Sequence, residues 1–166
     1  ASFQSVLGDS LGIASQTDAL VTIGIKPTWP CPSYGYIERG ESAKLDFETT
    51  HEPFEVSCFR EKPNPELAEQ FLRQGNFAWN AGMFVWSLKT VTAELRQHTP
   101  ELAGFIEELG SSTDIHQTID EKFPSLTPIS IDYALMEKAS RVLNIKATLD
   151  WDDVGSWISV AKYLDT

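Results

Sequence analysis

The stretch Ala19-Leu-Val-Thr-Ile-Gly-Ile25 decides the fold class, because it is almost entirely apolar and rich in β-branched residues. This composition is typical of a strand that is covered on both faces of a sheet. The prolines at positions 27, 30 and 32 then impose a loop. We therefore expect a buried strand here, with the remaining elements arranged around it.

Outward from this strand, strand and helix patterns alternate along the chain. We expect further strands at 34–40, 54–60, 82–87 and 142–149. We expect helices at 64–75, 88–109 with a break at Pro100, 114–122, 130–141 and from Ser156 onward. Asn64 as a cap, Pro65 in the first turn and Gly75 as a stop mark the first of these helices. The alternation predicts an α/β fold with a mixed sheet, organised as a single domain over residues 1–166.

Composition supports a globular domain and excludes several functions. The 166 residues are 42% hydrophobic and 22% charged, as in ordinary folded proteins. The formal net charge of −11 argues against binding to nucleic acid or to an anionic membrane, since both need clustered Lys and Arg. No apolar run has the length of a membrane span, and residues 1–9 do not resemble a signal peptide.

The cysteines and histidines give no sign of a disulfide framework, a zinc site or a catalytic triad. We expect Cys58 to be buried and inert in its strand, and Cys31 to lie in an exposed loop between two prolines. The histidines at 51, 98 and 116 are expected at the surface. A reducing cytoplasm is the default location.

Charged, glycine and aromatic residues gather at several predicted strand ends, where α/β sheets place their ligands. Gly35, followed by Tyr36, would let backbone N–H groups approach a sugar or phosphate, although a glycine in a hairpin edge is the commoner reason. Glu61 could accept hydrogen bonds from sugar hydroxyls and Lys62 could bind a phosphate as a point charge. The alternative is a solvated charge pair at a strand end.

Asn80 and a later acidic segment are the other candidates. The Asn80 amide could read sugar hydroxyls with a donor and an acceptor together, or it could bond its own backbone in a turn. Residues 150–153 carry three carboxylates within four positions. They suit either a helix start, where acids are favourable, or a hard divalent cation such as Mg²⁺.

Taken in order, these segments closely resemble one enzyme family. The motifs are Thr22-Ile-Gly-Ile-Lys-Pro-Thr28, Tyr34-Gly-Tyr-Ile-Glu38, Phe59-Arg-Glu-Lys-Pro63, Trp79-Asn-Ala-Gly-Met-Phe84, Ser130-Ile-Asp-Tyr-Ala134 and Trp151-Asp-Asp-Val-Gly-Ser-Trp157. Together they resemble the mannose-1-phosphate guanylyltransferases over about residues 19–162. The resemblance implies a mostly parallel sheet of the Rossmann-like nucleotide-diphospho-sugar transferase type. It also implies that mannose-1-phosphate and GTP are converted to GDP-mannose and pyrophosphate with Mg²⁺.

The resemblance also implies roles for individual residues. Lys62 and Asp153 would be catalytic, with Asp153 as a ligand of Mg²⁺ and Lys62 near the sugar phosphate. The remaining substrate-binding residues would be Gly35, Tyr36, Glu61, Asn80 and Gly82, with Gly82 leaving room for the sugar. Asp132 would support the site from a helix start, and Asp152 would face solvent or lie behind the site.

The family also has a glycine-rich, arginine-containing loop for the nucleotide and a second metal-binding Asp, and neither occurs in these residues. We therefore expect an incomplete domain that lacks the nucleotide-binding half and is inactive alone. The alternative is a non-catalytic module that binds sugar phosphates, or that regulates. A surface left by the missing half could also drive formation of a homodimer.

Overall fold

The structure is a computed structural model that describes residues 2–155, 157, 160, 163 and 164. The strands are β1 (Leu20–Ile25), β2 (Tyr36–Ser42), β3 (Pro53–Arg60), β4 (Phe77–Val85) and β5 (Val142–Ala147). The α-helices are α1 (Phe3–Gln16), α2 (Pro65–Gln74), α3 (Leu88–His98), α4 (Pro100–Ser111) and α5 (Ile115–Lys122). A 3-10 turn at Phe123–Ser125 and a π-helical turn at Asp132–Met136 complete the described elements.

The strands close into a ring in the order β1–β4–β2–β3–β5, and β5 pairs back onto β1. The sheet is mixed, as predicted, but the expectation that it is mostly parallel is wrong for the described strands. β1 and β5 are parallel, whereas every other pairing in the ring is antiparallel. The cause lies in the connections, since β2 and β3 are joined directly by a loop, and a parallel pair needs a longer crossover.

β1 is the centre of the fold, because all of its residues are buried. One core lies against α1 and α2 and includes Val6, Ile13 and Phe71. A second core lies against α3 and α4 and includes Leu95 and Leu135. The predicted buried strand is therefore confirmed, and apolar contacts on its two sides hold the helices to the ring.

Several predicted helix boundaries are confirmed. The Asn64 side chain accepts a hydrogen bond from the backbone N–H of Leu67 at 2.8 Å, and Gly75 ends α2 in the left-handed region with φ 76°. The expected break at Pro100 separates α3 from α4. Asp114 caps α5 through the backbone N–H of Gln117.

Other expectations are corrected. Cys31 is buried, with 2% of its surface exposed, because its loop packs into the first core. The predicted helix over 130–141 is reduced to a short helical segment around the π-helical turn. The strand expected at 82–87 begins earlier, at Phe77, so that Asn80 lies inside it. The predicted final helix from Ser156 lies largely outside the described residues.

The three histidines also differ from one another. His116 is exposed, as expected. His51 and His98 are not simple surface residues, since their side chains are only 12% and 17% exposed and lie against Asp9 and Glu94. Cys58 is half-buried, and burial together with the hydrogen bond to Glu38 raises its pKa to about 11, which keeps the thiol protonated and unreactive. Within the described residues, no helix has the length and apolar character needed to cross a membrane.

Candidate active site

A pocket of about 270 Å³ brings together most of the residues that the sequence suggested. Its lining includes Gly35, Glu61, Lys62, Asn80, Gly82 and Asp153. These residues come from four parts of the ring: the approach to β2, the end of β3, the middle of β4 and the segment after β5. Residues that are far apart in sequence therefore converge on one hollow.

Gly35 and Glu61 meet directly at the base of the pocket. A Cβ atom built on Gly35 would lie 2.6 Å from the Oε2 atom of Glu61, far inside normal contact distance. The backbone oxygen of Gly35 also accepts a hydrogen bond from the Asn80 N–H at 2.8 Å. A side chain at this position would displace the Glu61 carboxylate, so glycine allows the carboxylate to lie where it does.

Lys62 is held in an unusual backbone conformation next to this carboxylate. Its φ angle is 45°, in the left-handed region that residues with a Cβ rarely adopt. Its ammonium group lies 3.4 Å from Glu61 Oε1, and the Lys62 side chain is 68% exposed. The turn thus places an exposed cation and a half-buried carboxylate at the same edge of the pocket, at a cost in backbone strain.

The Asn80 amide is engaged at both ends. Its Oδ1 accepts from the Gly82 N–H at 3.1 Å and from the Thr22 hydroxyl at 3.4 Å. Its Nδ2 donates to Asp132 Oδ1 at 3.0 Å. The bond to Gly82 is the turn interaction predicted as one alternative for Asn80, and the bond to Asp132 places Asp132 against the pocket. Asn80 therefore joins β1, β4 and the π-helical turn.

Gly82 lies where β4 departs from regular pairing with β1. Between the pairs Thr22–Phe84 and Gly24–Asn80, β4 contains two more residues than β1, which forms a bulge. Gly82 has φ 68°, and a Cβ built there would meet nothing within 4 Å. Glycine is therefore favoured at this position by backbone conformation, and the space beside it is open to the pocket.

Tyr36 is the predicted site residue whose side chain lies elsewhere. It is completely buried in the first core, and its hydroxyl donates to the backbone oxygen of Cys31 at 3.0 Å. The side chain therefore cannot touch a ligand in the pocket. A direct role for Tyr36 is limited to its backbone, next to Gly35.

An aromatic cluster supports the acidic segment behind the pocket. It consists of Trp29, Tyr34, Trp79 and Trp151, whose ring centroids are 5.1 to 6.5 Å apart where they are in contact. Edge-to-face contacts of this kind add to the burial of the rings. The cluster fixes Trp151 against β4, and Trp151 in turn positions the acidic residues that follow it.

Asp152 and Asp153 have different surroundings. Asp152 accepts hydrogen bonds from the hydroxyls of Tyr34 at 3.4 Å and Tyr163 at 2.9 Å. Of the two positions expected for Asp152, facing solvent or behind the site, these bonds favour the second. Burial, and then the negative charge of Asp152, raise the pKa of Tyr34, which keeps its hydroxyl a donor. Asp153 is exposed and lines the pocket, where it is accessible to a ligand.

The donor set suits a hard cation only in part. Within the described residues, no group of three His, Cys, Asp or Glu side chains has an arrangement suited to a metal ion. Mg²⁺ is commonly held by one or two carboxylates while water and substrate phosphates complete its shell. The single accessible carboxylate of Asp153 is compatible with that mode and not with a site formed by protein ligands alone.

Some residues of the pocket were not singled out from the sequence as ligand contacts. They are Ser33, Tyr34, Ala81 and Trp151. Each is next to a predicted motif residue or within a quoted motif, so proximity in sequence was the available signal. Which of them faces the pocket depends on the bulge and on the aromatic cluster, and neither is visible in the composition of a single segment.

Comparisons with known proteins identify the family of the chain. A family described as Nucleotidyl transferase matches residues 6–165. A mannose-1-phosphate guanylyltransferase of Sinorhizobium fredii is 40% identical over 154 residues, which is 90% of this chain and 29% of the relative. A protein of the same name from Klebsiella pneumoniae is 34% identical over 161 residues, 93% of this chain and 34% of the relative. The chain thus spans about a third of the length of these relatives.

Two solved structures have the same fold. One, described as a mannose-1-phosphate geranyltransferase from Thermus thermophilus, superposes with a TM-score of 0.83 at 29% identity. The match covers 99% of this chain and 45% of the Thermus thermophilus chain. The other, described as a mannose-6-phosphate isomerase from Helicobacter pylori, superposes with a TM-score of 0.72 at 24% identity. The match covers 91% of this chain and 58% of the Helicobacter pylori chain, and it supports the fold alone. The chain belongs to the nucleotidyl transferase family.

Proposed function

We propose that this chain forms the sugar-phosphate side of the active site of a mannose-1-phosphate guanylyltransferase. The observation that carries the proposal is the convergence of Glu61, Lys62, Asn80 and Asp153 on one pocket. The relatives are named mannose-1-phosphate guanylyltransferases, which supports transfer of a guanylyl group to mannose-1-phosphate. GTP as the donor and pyrophosphate as the leaving group are part of the proposal.

Each side chain has a distinct task in this proposal. The Lys62 ammonium group contacts the phosphate of the sugar, because it is the exposed cation at the pocket edge. The Glu61 carboxylate accepts hydrogen bonds from sugar hydroxyls and lies in the space that the missing side chain of Gly35 leaves free. Asn80 keeps the bulge and Asp132 in place, and Gly82 leaves open space for the ring of the sugar.

Asp153 is the residue that would hold Mg²⁺. When bound, this ion would spread the negative charge of the phosphates during attack of the sugar-phosphate oxygen on the α-phosphorus of GTP. The protein contributes orientation: Lys62 and Glu61 fix the sugar phosphate so that its oxygen can approach in line with the leaving pyrophosphate.

The nucleotide side requires groups that are not among these residues. A glycine-rich, arginine-containing loop of the kind that cradles nucleotide phosphates does not occur in the sequence. We therefore propose that the 166 residues alone bind the sugar phosphate without turning it over. The two free cysteines are compatible with a reducing cytoplasm as the location.

Calorimetric titration tests the assignment of the two charged groups. We expect Lys62→Gln to weaken binding of mannose-1-phosphate by about tenfold or more and to leave the weaker binding of mannose unchanged, because it removes one charge-assisted bond to phosphate. Glu61→Gln should weaken the binding of both mannose-1-phosphate and mannose. Lys89→Gln is the matched control, since Lys89 is an exposed lysine paired with Asp18 away from the pocket.

The outcomes distinguish the alternatives. Equal binding of mannose-1-phosphate by the Lys62→Gln and parent chains would overturn the proposal. Robust formation of GDP-mannose by this chain with GTP and Mg²⁺ would disprove the proposed need for further residues.

A further inference from the structure

A second, smaller pocket carries an unexpected concentration of positive charge. It has a volume of about 240 Å³ and is lined by the cations Lys26, Arg39 and Lys146. Its other walls are Pro27, Phe71, Leu72, Gly75 and Phe77. None of its lining residues belongs to the candidate active-site pocket.

The three cations differ from many other basic side chains in the described part of the chain. Those others form ion pairs with carboxylates; they are Lys62, Arg73, Lys89, Arg96, Lys122 and Arg141. Lys26, Arg39 and Lys146 form no such pair among the described residues. In a chain of net charge −11, acidic partners are abundant, so three unpaired cations in one hollow are notable.

The fold, rather than chance side-chain placement, brings the two lysines together. Lys146 of β5 pairs in register with Gly24 of the parallel strand β1. Lys26 follows the end of β1, two positions beyond Gly24, and side chains two positions apart point to the same face of a strand. Both lysines are exposed and reach the same pocket. Their ammonium groups repel one another unless an anion lies between them.

Arg39 supplies the fixed wall of the pocket. Its Nε and Nη2 atoms donate to the backbone oxygens of Asn76 and Gly75, each at 3.4 Å, just beyond α2. Its guanidinium lies 5.3 Å from the ring centroid of Phe54. Burial lowers the pKa of Arg39, and the charge of nearby Glu52 opposes this effect. The guanidinium is therefore partly desolvated and held in position, as in sites that recognise oxyanions.

We propose that this pocket binds a phosphate group, independently of the sugar-phosphate pocket. Three convergent cations suit an oxyanion of two or more charges, and the volume is below that of typical pockets for nucleotide-sized ligands. The overall negative charge does not prevent this, because exposed charges beyond about 10 Å are largely screened at 0.1 M salt. The phosphate is either free, as phosphate or pyrophosphate, or part of a small phosphorylated metabolite.

The test uses the 166-residue chain carrying Lys62→Gln, which removes the cation of the other pocket. Inorganic phosphate, pyrophosphate and glycerol 3-phosphate are titrated separately by calorimetry, and the tightest of them identifies the source. In this background we expect Lys26→Gln and Lys146→Gln each to weaken binding by about tenfold, since each removes a charge-assisted hydrogen bond. The double variant should not bind detectably.

Two further variants serve as controls. Lys89→Gln removes one positive charge elsewhere and should leave the affinity within about twofold, as expected for a screened exposed charge. Lys146→Arg keeps the charge and should retain binding, which distinguishes loss of charge from misfolding. Absence of binding of all three probes to the Lys62→Gln chain, or unchanged binding after Lys26→Gln and Lys146→Gln are both added to it, would overturn the proposal.

Discussion

The carboxylate of Glu61 fills the space that a side chain at Gly35 would need, with 2.6 Å between Glu61 Oε2 and the position of a Cβ on Gly35. The two residues belong to different motifs, one before β2 and one after β3. The absence of a side chain at Gly35 makes room for the Glu61 carboxylate. The position of this carboxylate in turn explains the glycine, which the backbone conformation of the turn does not require.

Gly35→Ala should therefore displace Glu61 with little effect on folding, because the clashing atom is the end of a flexible side chain. We expect binding of mannose-1-phosphate to weaken by about tenfold or more, the effect of losing hydrogen bonds to a charged group. Calorimetry and urea unfolding measure the two properties. Gly104→Ala in α4 is the control, since a Cβ there meets nothing within 4 Å. It should stabilise the chain by up to about 1 kcal/mol without changing binding.

Two substitutions of Lys62 distinguish the effect of its backbone strain on stability from the effect of its charge on ligand binding. Lys62→Ala and Lys62→Gly both remove the ammonium group and should lose the same affinity for mannose-1-phosphate. At φ 45°, however, alanine retains the strain and glycine does not. We expect the glycine variant to be more stable than the alanine variant by roughly 0.5–1 kcal/mol in urea unfolding. Equal stability of the two variants would show that the turn relaxes without cost.

Local signals explain what was predictable from the sequence. The α2 boundaries follow from Asn64, Pro65 and Gly75, because caps act within one turn of helix. The burial of β1 follows from an apolar run. The family motifs then identified the pocket residues, although their roles remain predictions. The Tyr36 side chain is the exception, since the inward face of β2 directs it into the core.

Long-range pairing explains what was not predictable. The antiparallel character of the ring depends on which strands meet, and loop 43–52 allows β2 and β3 to meet directly. Cys31 is buried because its loop folds onto the first core, although prolines flank it on both sides. The left-handed conformation of Lys62 has no sequence signal, because lysine does not favour it.

The hydrogen bond from Asn80 Nδ2 to Asp132 Oδ1 predicts that a carboxylate at position 80 would make the stability of the fold depend on pH. Asn80→Asp would place two carboxylates together, which raises the pKa of one above its unfolded value. The variant should be about 2 kcal/mol less stable than the parent at pH 7. The loss should disappear as the pH falls toward about 4, where the raised group binds a proton.

The exchange Asn80→Asp with Asp132→Asn is the matched control for this effect. It keeps one carboxylate and one amide, so the hydrogen bond can form in the opposite sense while the new carboxylate still accepts from Gly82 and Thr22. We expect urea unfolding at pH 7 to recover most of the lost stability. If the exchanged variant is as unstable as the single one, repulsion is not the cause.

Asp9 ties α1 to the loop between β2 and β3. Its Oδ2 atom lies 2.7 Å from both the backbone nitrogen and the Nδ1 atom of His51. Burial alone would raise the pKa of Asp9, but hydrogen bonds from the His51 side chain and from the backbone of His51 and Thr50 outweigh it and lower the pKa. The folded state therefore favours the ionised carboxylate.

The lowered pKa of Asp9 determines how its contribution to the free energy of unfolding depends on pH. Because the folded pKa is depressed, the contribution of Asp9 is present above the unfolded value of about 3.9 and is lost as the pH falls through the folded pKa. Asp9→Ala should reduce the free energy of unfolding by about 1–2 kcal/mol at pH 7. The difference from the parent should shrink below pH 4. Asp18→Ala is the control: it removes an exposed partner of Lys89 and should have little effect on stability at either pH. A loss of stability in Asp9→Ala that is the same at both pH values would indicate lost packing and not a lost charge.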